Sequence, residues 1–126
     1  VTKPLVYIAS PYTSGDPAIN TNFQCRIFDA MLTAKLATPI APLWSHFQHT
    51  VFPRRYQDWI AYAEEIVARC DALVRLDAVE PSIGYRQSES SGADNEVRLA
   101  RELGKPVFTT LDDLYQWIDT EWKCSN

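Results

Sequence analysis

Hydrophobic and polar positions along this chain change period repeatedly, and each change predicts an element. Leu5 to Ala9 (LVYIA) is an apolar run with β-favouring Val6, Tyr7 and Ile8, and Pro11, Ser14, Gly15 and Pro17 close it. A run bounded in this way predicts a strand followed by a loop. From Asn20, the apolar residues Phe23, Ile27, Met31 and Ala34 recur at helical spacing, with Asn22, Gln24, Arg26 and Lys35 elsewhere on the wheel. Residues 38–44 (TPIAPLW) form a second short apolar segment. Pro39 and Pro42 lack a backbone N–H there, which places that strand at a sheet edge. Residues 56–70 put Trp59, Ala63, Ile66, Val67 and Cys70 on one stripe, and Asp71 turns the chain into the strand ALVRL.

Residues 78–91 (AVEPSIGYRQSESS) are polar and contain Gly and Pro. The stretch is too long for an ordinary connection, so it is either mobile or functional, and it is taken as part of a site. Residues 92–103 predict a third helix, with Ala93, Val97 and Ala100 in line, Leu99 and Leu103 beside them, and Gly104 as its stop. KPVFTTL reads as a fourth strand. A last helix begins at Asp112 and Asp113 and carries Leu114, Trp117 and Ile118 on one face, with Trp122 near its end.

This rhythm predicts one α/β domain over residues 1–126, with a parallel sheet of four or five strands in the order 2-1-3-4 and helices on both faces. Ligands of such sheets bind beyond the carboxyl ends of the strands where the order reverses. The segments 10–20, 44–55 and 77–92 should converge there.

Composition narrows the partners. The net charge of −4 leaves no basic field to hold a nucleic-acid polymer. No apolar run approaches the roughly 20 residues of a membrane span, and the start VTKPLVYIAS does not read as a signal peptide. Cys25, Cys70 and Cys124 are odd in number and widely spaced, which suits neither a disulfide framework nor a zinc site. Cys25 and Cys70 are expected to be buried thiols in a reducing compartment, so a soluble, cytoplasmic protein is expected.

The segment SSGADNEVRLARELGKPV carries the most chemistry. It sets Gly92 and Glu96 in the first turn of a helix directly after the long polar stretch. A carboxylate there would feel the positive helix end, which favours its ionised form. At the ligand edge of a sheet it could attack an anomeric carbon, as in retaining glycoside chemistry. The exit from the second strand, PLWSHFQHTVF, offers Trp44, His46, Phe47 and His49 to stack on or hydrogen-bond a base, or else to pack. His46 and His49 have no third ligand nearby, so no metal is expected. The first loop could cradle a phosphate through Ser10, Thr13, Ser14 and Gly15, with Tyr12 beside them, and Arg54, Arg55 and Arg86 could pair with one.

Tyr7 in VYIASPY, the Cys70-Asp71 start of CDALV, and S-x-G-x-x-x-E from Ser90 through Gly92 to Glu96, followed by A-x-x-x-G-K-P-V, resemble the nucleoside 2-deoxyribosyltransferase-like superfamily. The resemblance implies a flavodoxin-like or Rossmann-like three-layer fold and a cofactor-free enzyme that cleaves or transfers the N-glycosidic bond of a small nucleoside or nucleotide. It implies Glu96 as nucleophile, Tyr7 orienting that carboxylate, and Ser90 contacting sugar or 5′-phosphate unless it caps the helix. Gly92 would permit close approach of the ligand. It also implies homo-oligomers in which a neighbour completes the pocket. The chain departs from the family where an aspartate helps protonate the leaving base: that position is Ala63. Asp77, at the end of the third strand, is the better-placed second carboxylate, with Asp94 as another possibility. A ligand-binding or sensor module using the same pocket without turnover is the competing expectation.

Overall fold

A computed structural model describes residues 2–125. Its main sheet has four parallel strands in the order β2-β1-β3-β6: β1 (Leu5–Ala9), β2 (Thr38–Ile40), β3 (Ala72–Arg75) and β6 (Val107–Phe108). Counting the strands of this sheet alone, the order is the expected 2-1-3-4.

The alternation in β1 decides which layer each side chain joins. Val6 and Ile8 face one way and pack with Met31 of α1 (Pro17–Ala34) and Leu114 of α5 (Leu111–Trp117). Tyr7 and Ala9 face the other way, against Val67 of α3 (Tyr56–Arg69) and Ala93 and Ala100 of α4 (Ser91–Glu102). Helices therefore cover both faces in three layers, and each fully buried large aliphatic contributes about 1.5–3 kcal/mol. Past α5, the helix widens through Ile118–Trp122, and the Trp122 indole N–H donates to the Thr2 carbonyl at 2.8 Å.

Local chemistry sets the ends. Asp16 accepts from the N–H groups of Ala18 and Ile19, and Pro17 follows at the first helical position, so α1 starts three residues earlier than its apolar spacing suggests. Asp71 accepts from the Leu5 N–H at 2.8 Å, while its own N–H donates to the Leu5 carbonyl at 2.7 Å. The aspartate that opens β3 thus fastens β3 to β1. In β2, the Thr38 N–H donates to the Pro4 carbonyl at 2.9 Å, so the missing N–H of Pro39, the next residue, belongs to the outer edge.

Three expectations need correction. The second strand ends at Ile40, and residues 43–51 form a helix, α2 (Leu43–Val51), with Pro42 as its N-cap. The stretch after β3 is an antiparallel hairpin, β4 (Ala78–Glu80) and β5 (Tyr85–Gln87), turned through Pro81–Ile83 and Gly84. Cys25 is exposed; Cys70 is buried as expected, and burial pushes its thiol up to about 12, which makes it a packing residue. No helix among the described residues is long and apolar enough to cross a membrane.

Candidate functional site

A cavity of about 560 Å³ opens beside the carboxyl end of β1, between α2, α3 and the start of α4. That volume falls within the range of small-molecule sites. Tyr7, Ser10, Tyr12, Trp44, His46, Ser90, Gly92 and Glu96 all line it. Asp77 and Asp94 do not. Asp77 pairs with Arg86 at 2.7 Å and accepts from the Ser88 hydroxyl at 3.1 Å, while Asp94 pairs with Arg75 at 3.2 Å.

Glu96 is the one acidic side chain in the wall among the described residues. The Tyr7 hydroxyl donates to its Oε2, which joins the inner strand β1 to α4 in the cavity wall. Tyr7 itself is 2% exposed, so the same ring serves as a core side chain and as a partner to the carboxylate. Burial, and then the charge of Glu96, hold the Tyr7 phenol well above its ordinary range, so it remains a neutral donor.

The charge state of Glu96 differs from the sequence expectation. Its helix starts at Ser91, so Glu96 sits in the second turn, beyond the unpaired N–H groups. Burial dominates and pushes the carboxyl from 4.5 up to about 7, opposed by the Tyr7 hydrogen bond and by the nearby charge of Arg75. Arg75 is held in place by donating to the carbonyls of Leu76 and Ser88. Ser90 caps α4, its hydroxyl accepting from the Ala93 N–H at 3.1 Å, while also facing the cavity.

The first loop is fixed from beneath. Asn20, fully buried, donates to the carbonyls of Tyr12 and Ser14 at 2.9 and 2.7 Å and accepts from the Tyr85 hydroxyl at 2.8 Å. Tyr85 comes from the hairpin and also accepts from the Asp16 N–H at 2.9 Å. Gly15 passes beneath it at φ +83°, where a Cβ would lie 2.4 Å from the Tyr85 oxygen. The hairpin therefore braces the site from behind rather than lining it. Ser10, at the loop's start, accepts from the Gln24 side chain at 2.9 Å.

The loop so held presents Tyr12, whose ring stacks on His46 with centroids 3.5 Å apart and planes within 6°. Burial, then the neighbouring His49, lowers His46 to about 4, so its imidazole is neutral. His49 accepts at Nδ1 from the Trp59 indole N–H at 2.8 Å and the Arg54 N–H at 3.1 Å. That network assigns its proton to Nε2.

The far wall is α3, which contributes Tyr56, Trp59, Tyr62, Ala63 and Ile66. The apolar stripe of this helix divides: Val67 and Cys70 enter the core, while Trp59, Ala63 and Ile66 face the cavity. Tyr62 lies off that stripe; its spacing of three from Trp59 is the signal that pattern reading passed over, and the two rings meet edge to face. Asn95, next to Glu96, is a further polar lining residue that the motif did not single out.

Among the described residues no group of three or more His, Cys, Asp and Glu side chains could hold a metal ion. Comparison with protein-family models, curated proteins and solved structures finds no match to this chain, so the functional reading rests on the geometry itself.

Proposed function

We propose that this protein cleaves the N-glycosidic bond of a small nucleoside or nucleoside 5′-monophosphate, with Glu96 as nucleophile and water or a second base as acceptor. One observation carries this reading: a single desolvated carboxylate, oriented by the Tyr7 hydroxyl, in the wall of a cavity of nucleoside size. Tyr7 engages Oε2, which leaves Oε1 for attack on C1′. The C1′–N bond breaks as the C1′–O bond forms, and its electron pair leaves with the base. In the second half, water or another base attacks C1′ and Glu96 departs as the carboxylate. A poorly solvated carboxylate is more nucleophilic than one in water and also stabilises the positive charge that develops on the sugar.

The remaining lining fits that substrate. Trp44, Tyr12 and His46 offer aromatic rings to a base, while Ser90 and Gly92 at the α4 start and Ser10 just after β1 offer polar groups to sugar or phosphate oxygens. The exposed apolar side chains of α2 and its exit, Trp44, Phe47, Val51 and Phe52, support association with further copies. The three free cysteines suit a reducing compartment such as the cytoplasm.

Chromatographic screening of nucleosides and nucleotides for free base tests the reading. Release by the native protein and none by Glu96→Gln, with an unchanged circular dichroism spectrum, is expected; equal release by both refutes it. Ala63 in the wall favours one second reading, a binding module that holds the same ligand without turnover. Its signature is saturable binding with the ligand recovered intact.

A further inference from the structure

We propose that the preferred substrate carries its base already positively charged, as a pyridinium or N7-alkylpurinium riboside, so that the base leaves without being protonated. This rests on Glu96 acting as the nucleophile.

The first support is an inventory of proton donors. Breaking a C1′–N bond leaves the electron pair on nitrogen: a neutral base departs as an anion unless an acid protonates it, whereas a cationic base departs neutral. The cavity wall supplies one carboxyl group, and attack on C1′ uses it. Asp77 and Asp94 are turned to Arg86 and Arg75. His46 is neutral, stacked flat on Tyr12. His49 accepts at Nδ1 from two N–H donors, so that nitrogen has no proton to give. Apart from the Arg54 guanidinium, which holds its proton too tightly to give it up, the other donors in the wall are uncharged hydroxyl, phenol, indole and amide groups, which are weak acids.

The second support is the nature of the wall. Trp44, Tyr56, Trp59 and Tyr62 make the wall aromatic, and aromatic rings attract a cation as well as any base. Among the described residues Arg54 is the one Lys or Arg side chain in the lining; it is exposed and pairs through Nε with Asp58 at 3.3 Å, so its charge is answered outside the cavity. Arg75, whose charge reaches Glu96 from behind the wall, is paired with Asp94 at 3.2 Å, and Glu96 on the cavity side attracts a cation.

The third support couples binding to chemistry. Burial pushes the Glu96 carboxyl up to about 7, which favours its protonated form. A positive charge a few ångströms away favours the ionised carboxylate, so a cationic substrate generates its own nucleophile on binding. A neutral nucleoside does not. The step balances without a further reagent: carboxylate attacks C1′, the C1′–N pair neutralises the base cation, and water then releases the sugar and one proton to solvent.

A positioned general acid contributes about 10²–10⁴-fold. An enzyme without one should therefore favour a fixed cation over its neutral counterpart by at least about 100-fold beyond the ratio of their uncatalysed rates. The test measures kcat/KM of the native protein on nicotinamide riboside and 7-methylguanosine against guanosine, inosine and thymidine, each divided by its uncatalysed rate, with Glu96→Gln throughout. Rate enhancement at least about 100-fold larger for the cations, lost in Glu96→Gln, is the expected result. Comparable enhancement for neutral nucleosides, also lost in Glu96→Gln, overturns the inference and leaves the glycosidase reading intact. Base release from none of them overturns both.

Discussion

Replacing Glu96 with glutamine should make the protein more stable in alkaline solution and leave it almost unchanged in acid. Glutamine keeps the shape of the side chain and an oxygen for the Tyr7 hydroxyl, and removes the charge. The folded-state carboxyl titrates near 7 instead of 4.5, so the native protein binds more protons than the unfolded chain between those values. Stability contributed at this site is therefore lost as pH rises through that window, the reverse of the usual salt-bridged carboxylate. The full difference between 4.5 and about 7 corresponds to about 3 kcal/mol. Because Glu96 lies on a wall that opens to water, about 1–3 kcal/mol is the expected range. For a domain of this size that is a rise in Tm of about 3–12 °C at pH 9 and close to zero at pH 4. Differential scanning calorimetry of both proteins at the two pH values reads it directly, since ionisations elsewhere cancel in the difference. Equal Tm shifts at pH 4 and pH 9, or a less stable variant at pH 9, would refute the argument that burial governs Glu96.

Tyr7→Phe removes the hydrogen bond that holds the Glu96 carboxyl down, so the acidic limb of kcat/KM should move above its native position near pH 7, with activity at pH 7 reduced and recovered in part at pH 9. An unmoved limb in the pH–rate profile would dissociate Tyr7 from the carboxylate. Gly15→Ala places a Cβ 2.4 Å from the Tyr85 oxygen at φ +83° and should cost about 1–3 kcal/mol in urea unfolding. Gly84→Ala, at φ +66° with open space around it, should cost about 1 kcal/mol; equal losses would contradict the steric account. Asp71→Ala leaves the Leu5 N–H without its carboxylate partner and should lower stability by about 1–2 kcal/mol while base release by the folded protein persists.

The sheet order was legible because β1 and β3 are short, apolar and flanked by turn residues, and because prolines mark β2 as an edge. Helix α2 was not legible. Its nine residues contribute nothing fully buried to the core, its apolar Trp44, Phe47 and Val51 follow directly on an apolar strand segment, and Pro42 reads equally as a strand breaker or a helix start. The hairpin hid behind polar residues whose partners lie far away in sequence, as Tyr85 and Asn20 do. For the site, Ser90, Gly92 and Glu96 share one wall of the cavity, yet motif spacing says nothing of burial, and burial reversed the expected charge bias of Glu96. Asp77 was a reasonable candidate from its place after β3; Arg86, across the hairpin, takes it away from the cavity.

The position of Pro39 has a consequence for handling the protein in concentrated solution. An uncovered strand edge is a template on which further strands can grow, and the first step toward fibrils is often one such addition. Here β2 is three residues long with a proline on its outward row, and β6, at the opposite edge, is two residues long. Neither edge can seed a ladder of useful length. Disordered precipitates, if they form, should then arise from the exposed aromatic side chains of α2 and dissolve with a mild detergent, whereas a Pro39→Val protein should bind thioflavin on prolonged storage.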